Sequence, residues 1–207
     1  MSNSVELDQL KPQPKQTAGR PSDNKLTARI LSSAAALLNE RGYAMLTIEQ
    51  VARDAGCGKA AIYRRYPGKP ELVAAVFQKY TEMGEEPDTG SVRDDLLAHA
   101  LQNRQNQEGI SFAHGRALHA MLEPEVFPIL WESIFQDRHQ RGLGIIARGV
   151  ERGELPQDVD ADVLLDSIAG LTLYRYSVKN TYTHDLHYQS VINALVAHPP
   201  RIIENDS

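Results

Sequence analysis

The sequence predicts an all-α fold, and three observations carry that prediction. Between Asn24 and Arg41 the apolar residues Leu26, Ile30, Ala34, Leu37 and Leu38 recur at spacings of three and four, the period of one helix face. Residues 47–66, TIEQVARDAGCGKAAIYRRY, read as two short helices joined by a glycine-containing turn. From Ser91 onward no segment alternates like a strand, while several follow one another with helical spacing. The 207 residues are 42% hydrophobic, enough to bury a core. There is no run of eighteen apolar residues, and the first twenty residues are polar and contain proline. A soluble, cytoplasmic protein is expected. The single cysteine, Cys57, excludes an internal disulfide and a multi-cysteine metal site.

Residues 1–22 are expected to form a disordered basic arm, because Pro12, Pro14 and Pro21 interrupt any helix and large apolar residues are few. Gly19-Arg20-Pro21 fits a narrow minor groove, where a thin backbone and one arginine can enter; a plain linker with a stray arginine is the alternative. Asp23 suits the cap of the first helix, and Gly42 ends it. Thr47 is the N-cap of the next helix, and Gln50 three residues later completes a capping box. Val51, Ala52 and Ala55 form its apolar side. Gly56 is where a positive φ is easiest to accommodate, and Gly58 is where another helix must begin. That helix is expected over Lys59 to Tyr66, with Lys59, Tyr63 and Arg64 on one face and Ile62 and Tyr66 on the other. One face can pack, and the other can meet a phosphate-lined groove. Pro67-Gly68-Lys69-Pro70 then turns the chain into a fourth helix, with Pro70 at its first position and an end near Met83. Residues 84–90 form a loop. Further helices are expected over 92–107, 110–122, 124–131, 132–152 with Gly153 as its cap, 160–180 and 185–197.

The net charge of −5 divides unevenly. Residues 1–80 hold twelve Lys and Arg against seven Asp and Glu, a balance of +5, whereas residues 81–207 hold ten against twenty, a balance of −10. A basic first third can follow a phosphate backbone while the acidic remainder faces away from it.

These residues also resemble a known family. Thr47-Ile48-Glu49-Gln50-Val51-Ala52, Ala55-Gly56, Lys59, Ile62-Tyr63 and Lys69, preceded by Glu40-Arg41-Gly42-Tyr43, resemble the DNA-binding domain of TetR family transcriptional regulators. Arg148 to Leu155, Asp158-Val159-Asp160 and Gly170-Leu171 to Arg175 are similar to the C-terminal part of one branch of that family. The resemblance implies a helix-turn-helix domain over 23–68, a connecting helix over 69–83, and an effector-binding and dimerisation domain over 91–200. It also implies a homodimer that binds double-stranded operator DNA and is released by an unidentified small-molecule effector, with no cofactor. Carried over by position, Lys59, Ala60, Tyr63 and Arg64 would meet DNA, with Thr47 and Lys69 on phosphates. The expected DNA-binding set is therefore Arg20, Thr47, Gly58, Lys59, Ala60, Tyr63, Arg64 and Lys69. Lysine and arginine can donate to guanine or phosphate, and the tyrosine hydroxyl to phosphate. Gly58 and Ala61 depart from the hydroxyl residues that many members carry, so Arg20 and Arg65 are expected to supply more of the affinity. Cys57 replaces a small apolar turn residue, which suits packing more than a thiol sensor.

For an effector the sequence offers Phe112, Arg116, His119, Trp131, Phe135 and Tyr174, aromatic and polar residues of the middle helices. The interface helices of a dimer are expected to be the long one before Gly153 and the one after Asp160. No phosphate loop, nucleophile elbow or other catalytic spacing occurs, so no enzyme is expected. His184 with His187, and His114 with His119, lack the further donors that a metal needs. Asp94 and Asp95 are adjacent and read as a solvated first helical turn. The reading is a ligand-responsive DNA-binding repressor. The alternative from another class is a helical interaction or ligand-binding module that keeps the helix-turn-helix as a structural unit only.

Overall fold

The structure, a computed structural model, describes residues 21–109, 116–179 and 181–203. Among the described residues there is no strand, and one isolated antiparallel bridge joins Val159 to Arg201. The first helix, α1 (Pro21–Met45), breaks at Gly42, whose φ of 77° lies in the left-handed region. The break turns Tyr43 and Leu46 into the core. Thr47 then caps α2 (Ile48–Asp54) as expected: its hydroxyl accepts from Gln50 N at 3.3 Å, and Gln50 Oε1 accepts from Thr47 N at 3.2 Å.

Gly56 takes a φ of 64° in the turn, and α3 (Lys59–Tyr63) follows. This helix is shorter than the expected Lys59 to Tyr66. The reason is the coming Pro67-Gly68: the N–H groups of both Arg65 and Tyr66 close back on Ile62 O, at 2.8 and 2.9 Å, and the ladder ends there. The next helix, α4 (Lys69–Tyr80), begins two residues before Glu71, so Pro70 takes the second position rather than the first. It also stops short of Met83. Thr81 is extended, and its hydroxyl donates to Phe77 O at 2.9 Å, closing the last turn.

The acidic section contributes α5 (Val92–Gly109), α6 (Arg116–Met121), α7 (Phe127–Leu130), α8 (Gln136–Glu151), α9 (Ala161–Ser177) and α10 (Asp185–Ala197). Trp131–Phe135 is a wide π-helical turn that joins α7 to α8 in one run, where the sequence suggested a break. Such turns shift the register of side chains on either side of them. Close approach needs glycine at two points of α8. A Cβ on Gly142 would stand 2.8 Å from Leu165 of α9, and one on Gly149 would stand 2.7 Å from Val92 of α5.

The buried residues form two clusters. One gathers α1 to α4 and also takes Ala120, Val126, Leu130 and Ile134 from α6, α7 and the π turn. The other joins α5, α8, α9 and α10 around Ile145, Leu164 and Tyr188. The segment 120–134 is thus packed into the helix-turn-helix core although it lies far along the chain. One expectation for the acidic section fails. Asp95 is not solvated but fully buried, where it accepts from Thr89 N and Oγ1, both at 2.7 Å, and faces Arg152 at 3.7 Å. Helical spacing explains the difference, since Asp95 follows Val92 by three and turns inward with it.

Candidate nucleic-acid interface and effector cavity

Buried Ile48, Val51, Ala52 and Ile62 clamp α2 and α3 onto α1 and α4. What remains outside is a continuous polar face, in which Thr47, Gly58, Lys59, Ala60, Tyr63 and Arg64 are all exposed. Tyr63 keeps 51% of its surface in water, unusual for so large a ring on a short helix. Thr47 uses its oxygen as an acceptor in the cap, which leaves its hydroxyl proton to donate outward. Gly58 begins α3 with no side-chain cap.

The basic residues differ in their engagement. Lys59 Nζ donates to Glu49 Oε1 at 2.9 Å, and this pair raises the lysine pKa and lowers that of the carboxyl. Lys69 lies with its ammonium 4.0 Å from the centre of the Tyr43 ring, a cation–π contact that fixes it just beyond the turn. Arg65 is turned inward: Nε donates to Thr27 Oγ1 at 3.0 Å and Nη1 to Ala61 O at 2.7 Å. It holds α3 against α1 and is not placed to replace missing groove contacts. Arg20 lies outside the described residues. Cys57 is half-buried and packs on the core of this domain.

The second feature is a half-open cavity of about 490 Å³ bordered by α4, α5, α6, α7, the π turn, α8, α9 and α10. Phe77, Met121, Ile134, Leu165 and Ile168 give it apolar walls, and Phe127, Trp131 and Phe135 form an aromatic flank with ring centres 6.0 and 6.2 Å apart. Trp131 and Phe135, named from the sequence, both line it. Phe112 and the side chain of Arg116 lie outside what is described. His119 and Tyr174 do not line the cavity. His119 Nε2 lies 3.3 Å from Ser177 O on the exposed side, and Tyr174 follows the inward-facing Thr172 by two residues, which rotates it outward beneath Lys179.

Polar groups that the sequence reading passed over also reach the cavity. Thr172 and Tyr188 share a hydroxyl hydrogen bond of 2.6 Å. His99 is pushed down to about 4 by burial and by the neighbouring Arg138 and Arg141, so it is neutral at pH 7. Arg138 is 8% exposed, and burial, then repulsion from Arg141, lowers its pKa to about 10. A signal for Arg138 was present. It sits four residues after Ile134 and seven before Ile145, a charge on an otherwise apolar stripe. Among the described residues no three His, Cys, Asp or Glu side chains gather as a metal would require. His187 instead accepts from His184 N at 3.0 Å and helps cap α10.

Comparison with known proteins agrees with this arrangement. Residues 30–76 match the model of "Bacterial regulatory proteins, tetR family", and residues 86–195 match "Tetracyclin repressor-like, C-terminal domain". An uncharacterized HTH-type transcriptional regulator of Mycobacterium bovis, Mb1581, is 31% identical over 80% of this chain and 85% of its own length. A DNA-binding transcriptional repressor, TetR, of Mycobacteroides abscessus is 26% identical over 73% of this chain and 82% of its own. The crystal structure of MexZ, a repressor of Pseudomonas aeruginosa, superposes with a TM-score of 0.61 at 23% identity, over 87% of this chain and all of that one, a likeness of fold.

Proposed function

The chain belongs to the TetR family and is a DNA-binding, ligand-responsive transcriptional regulator as that family's members are; from that premise we propose that it is a repressor, lifted from its operator when a small molecule fills the 490 Å³ cavity. One observation carries this reading. Phe77 of α4 and Ile134 of the π turn line the cavity and also belong to the buried cluster that supports α2 and α3. A ligand that presses on those two side chains presses on the foundation of the DNA-reading helices. Packed cores respond to such pressure by shifting elements as bodies. The sign, repression, follows the printed description of the Mycobacteroides relative.

In this proposal Lys59, Ala60, Tyr63 and Arg64 face the major groove, Thr47, Gly58 and Lys69 hold phosphates, and Arg20 reaches the minor groove. The chain works as a homodimer in the cytoplasm, with no catalytic step. Exposed Val163, Leu173 and Tyr174 on α9, with Val178, Tyr182 and Leu186 beyond it, support a partner surface there. Among the described residues no helix is long and apolar enough to cross a membrane.

A mobility-shift titration with DNA from upstream of its own gene tests the reading. A salt-sensitive, sequence-preferring complex is expected, and Lys59→Ala and Tyr63→Ala should each weaken it on the order of tenfold without changing the oligomeric state. Binding untouched by both substitutions would displace α3 as the reader.

A further inference from the structure

Resting on the effector role of the cavity, we infer that its ligand is an amphipathic organic anion, a carboxylate on an aromatic or acyl body, and that Arg138 receives the carboxylate. Arg138 projects from α8 into a wall that is otherwise mostly apolar, and it is nine-tenths buried. A guanidinium has five N–H donors. Here Nη2 makes one long contact, 3.4 Å to His99 O, and Nε has no acceptor. No described carboxylate pairs with it. Asp137 is engaged with Arg141 at 3.4 Å, Asp162 with His139 at 2.9 Å, and Asp166 reaches the cavity from an exposed position on α9. Of the other titratable groups around it, His99 is neutral, Arg141 is itself a cation whose Nη1 donates to Met83 O and Gly84 O, and Glu86, which acts on His99, is held by Arg148 at 2.6 Å.

A buried, unpaired cation is costly, and a structural role would require a partner that completes it. A carboxylate does so, because its two oxygens match the guanidinium fork. The rest of the cavity then selects the body of the ligand. Trp131, Phe127 and Phe135 offer faces for an aromatic or acyl group, and Thr81, Asn103 and the Thr172–Tyr188 hydroxyl pair are neutral polar groups on the lining that can orient it.

The chain has one tryptophan, Trp131, and it lines the cavity, so its fluorescence reports occupancy directly. The probes are 4-phenylbutyrate and its neutral amide, 4-phenylbutyramide, which share a body and differ in charge. The full-length protein should bind the carboxylate at least roughly tenfold more tightly than the amide, the worth of a charged hydrogen bond. Arg138→Gln should abolish that preference while changing amide affinity little, and Arg138→Lys should keep part of it. Equal binding of the two probes by the unmodified protein, a preference that survives Arg138→Gln, or no response to the carboxylate at millimolar concentration would each overturn the inference. Where Arg138→Gln fails to fold, the probe pair and Arg138→Lys still decide. The mobility shift without ligand is a separate measurement: it stays positive if only the anion inference fails and is lost if the regulator reading fails.

Discussion

Lys59 stands at the first turn of α3, the helix proposed to read DNA, with its ammonium already held by Glu49 of the preceding helix, 2.9 Å away. Both side chains are exposed, so the pair contributes little to stability. Its consequence lies in binding. A phosphate that approaches Lys59 must compete with Glu49 and is repelled by it. Glu49→Gln removes the competitor and a negative charge from the face proposed to meet DNA. The variant should bind the operator several-fold more tightly at low salt, with a melting temperature close to that of the parent, as read by mobility shift and thermal melting. Unchanged or weaker binding would mean that Lys59 does not meet the backbone. Arg65 illustrates the opposite case. Its neighbours in sequence suggested another groove contact, but Thr27, thirty-eight positions earlier, is what it reaches. A long-range partner of that kind has no local signature.

At the scale of elements, α3 is the weakest piece of the helix-turn-helix, five residues long and begun by a glycine without a side-chain cap. Gly58 has φ −80° and ψ 151°, a conformation any residue adopts, and a Cβ there would meet nothing within 4 Å. Gly58→Ser should therefore stabilise the domain by about 0.5–1 kcal/mol, through the hydroxyl cap and the less flexible unfolded chain, and raise Tm by roughly 1–4 °C. The serine hydroxyl can also meet a phosphate, so operator affinity should rise with it. A fall in Tm would show that the turn needs glycine for a reason its geometry does not contain. The same local chemistry explains which elements were legible in the sequence. Thr47, Gln50 and Gly56 form a capped helix and a turn from their own functional groups, and Asp160, whose side chain accepts from Val163 N at 3.0 Å, starts α9 in the same way. The π turn was not legible. Its WESIF sequence has no breaker, and the wide turn gives its side chains different surroundings: Ile134 is buried between the helix-turn-helix core and the cavity, while Trp131 lines the cavity from a partly exposed position. The cavity was half legible for a related reason. Aromatic residues on helices 131–135 could be named, whereas His99 and Arg138 become a pair only when α5 and α8 are brought side by side.

Across the whole molecule, one line of contacts joins the surface proposed to meet DNA to the cavity. Lys69 rests on the ring of Tyr43, the Tyr43 hydroxyl donates to Glu125, and Glu125 lies two residues before Phe127, which begins the segment that carries Trp131 and Phe135 into the cavity wall. Burial and the Glu125 carboxylate hold the Tyr43 phenol protonated well beyond the physiological range, so the tie does not depend on pH near neutrality. If Lys69 meets a phosphate, operator binding must bear on Tyr43, and through it on the segment containing Trp131. Coupling of this kind is reciprocal: whatever DNA does to the cavity, a ligand in the cavity does to DNA affinity. The lone tryptophan makes the DNA half of that coupling measurable without any ligand. Operator DNA should shift Trp131 emission in the parent protein. Tyr43→Phe keeps the ring beneath Lys69 and removes only the bond to Glu125, at a stability cost of about 1 kcal/mol because exposed Glu125 can be solvated instead. In that variant DNA affinity should change little while the emission shift shrinks. A full shift with the hydroxyl gone would place the coupling on α4 alone, through Phe77.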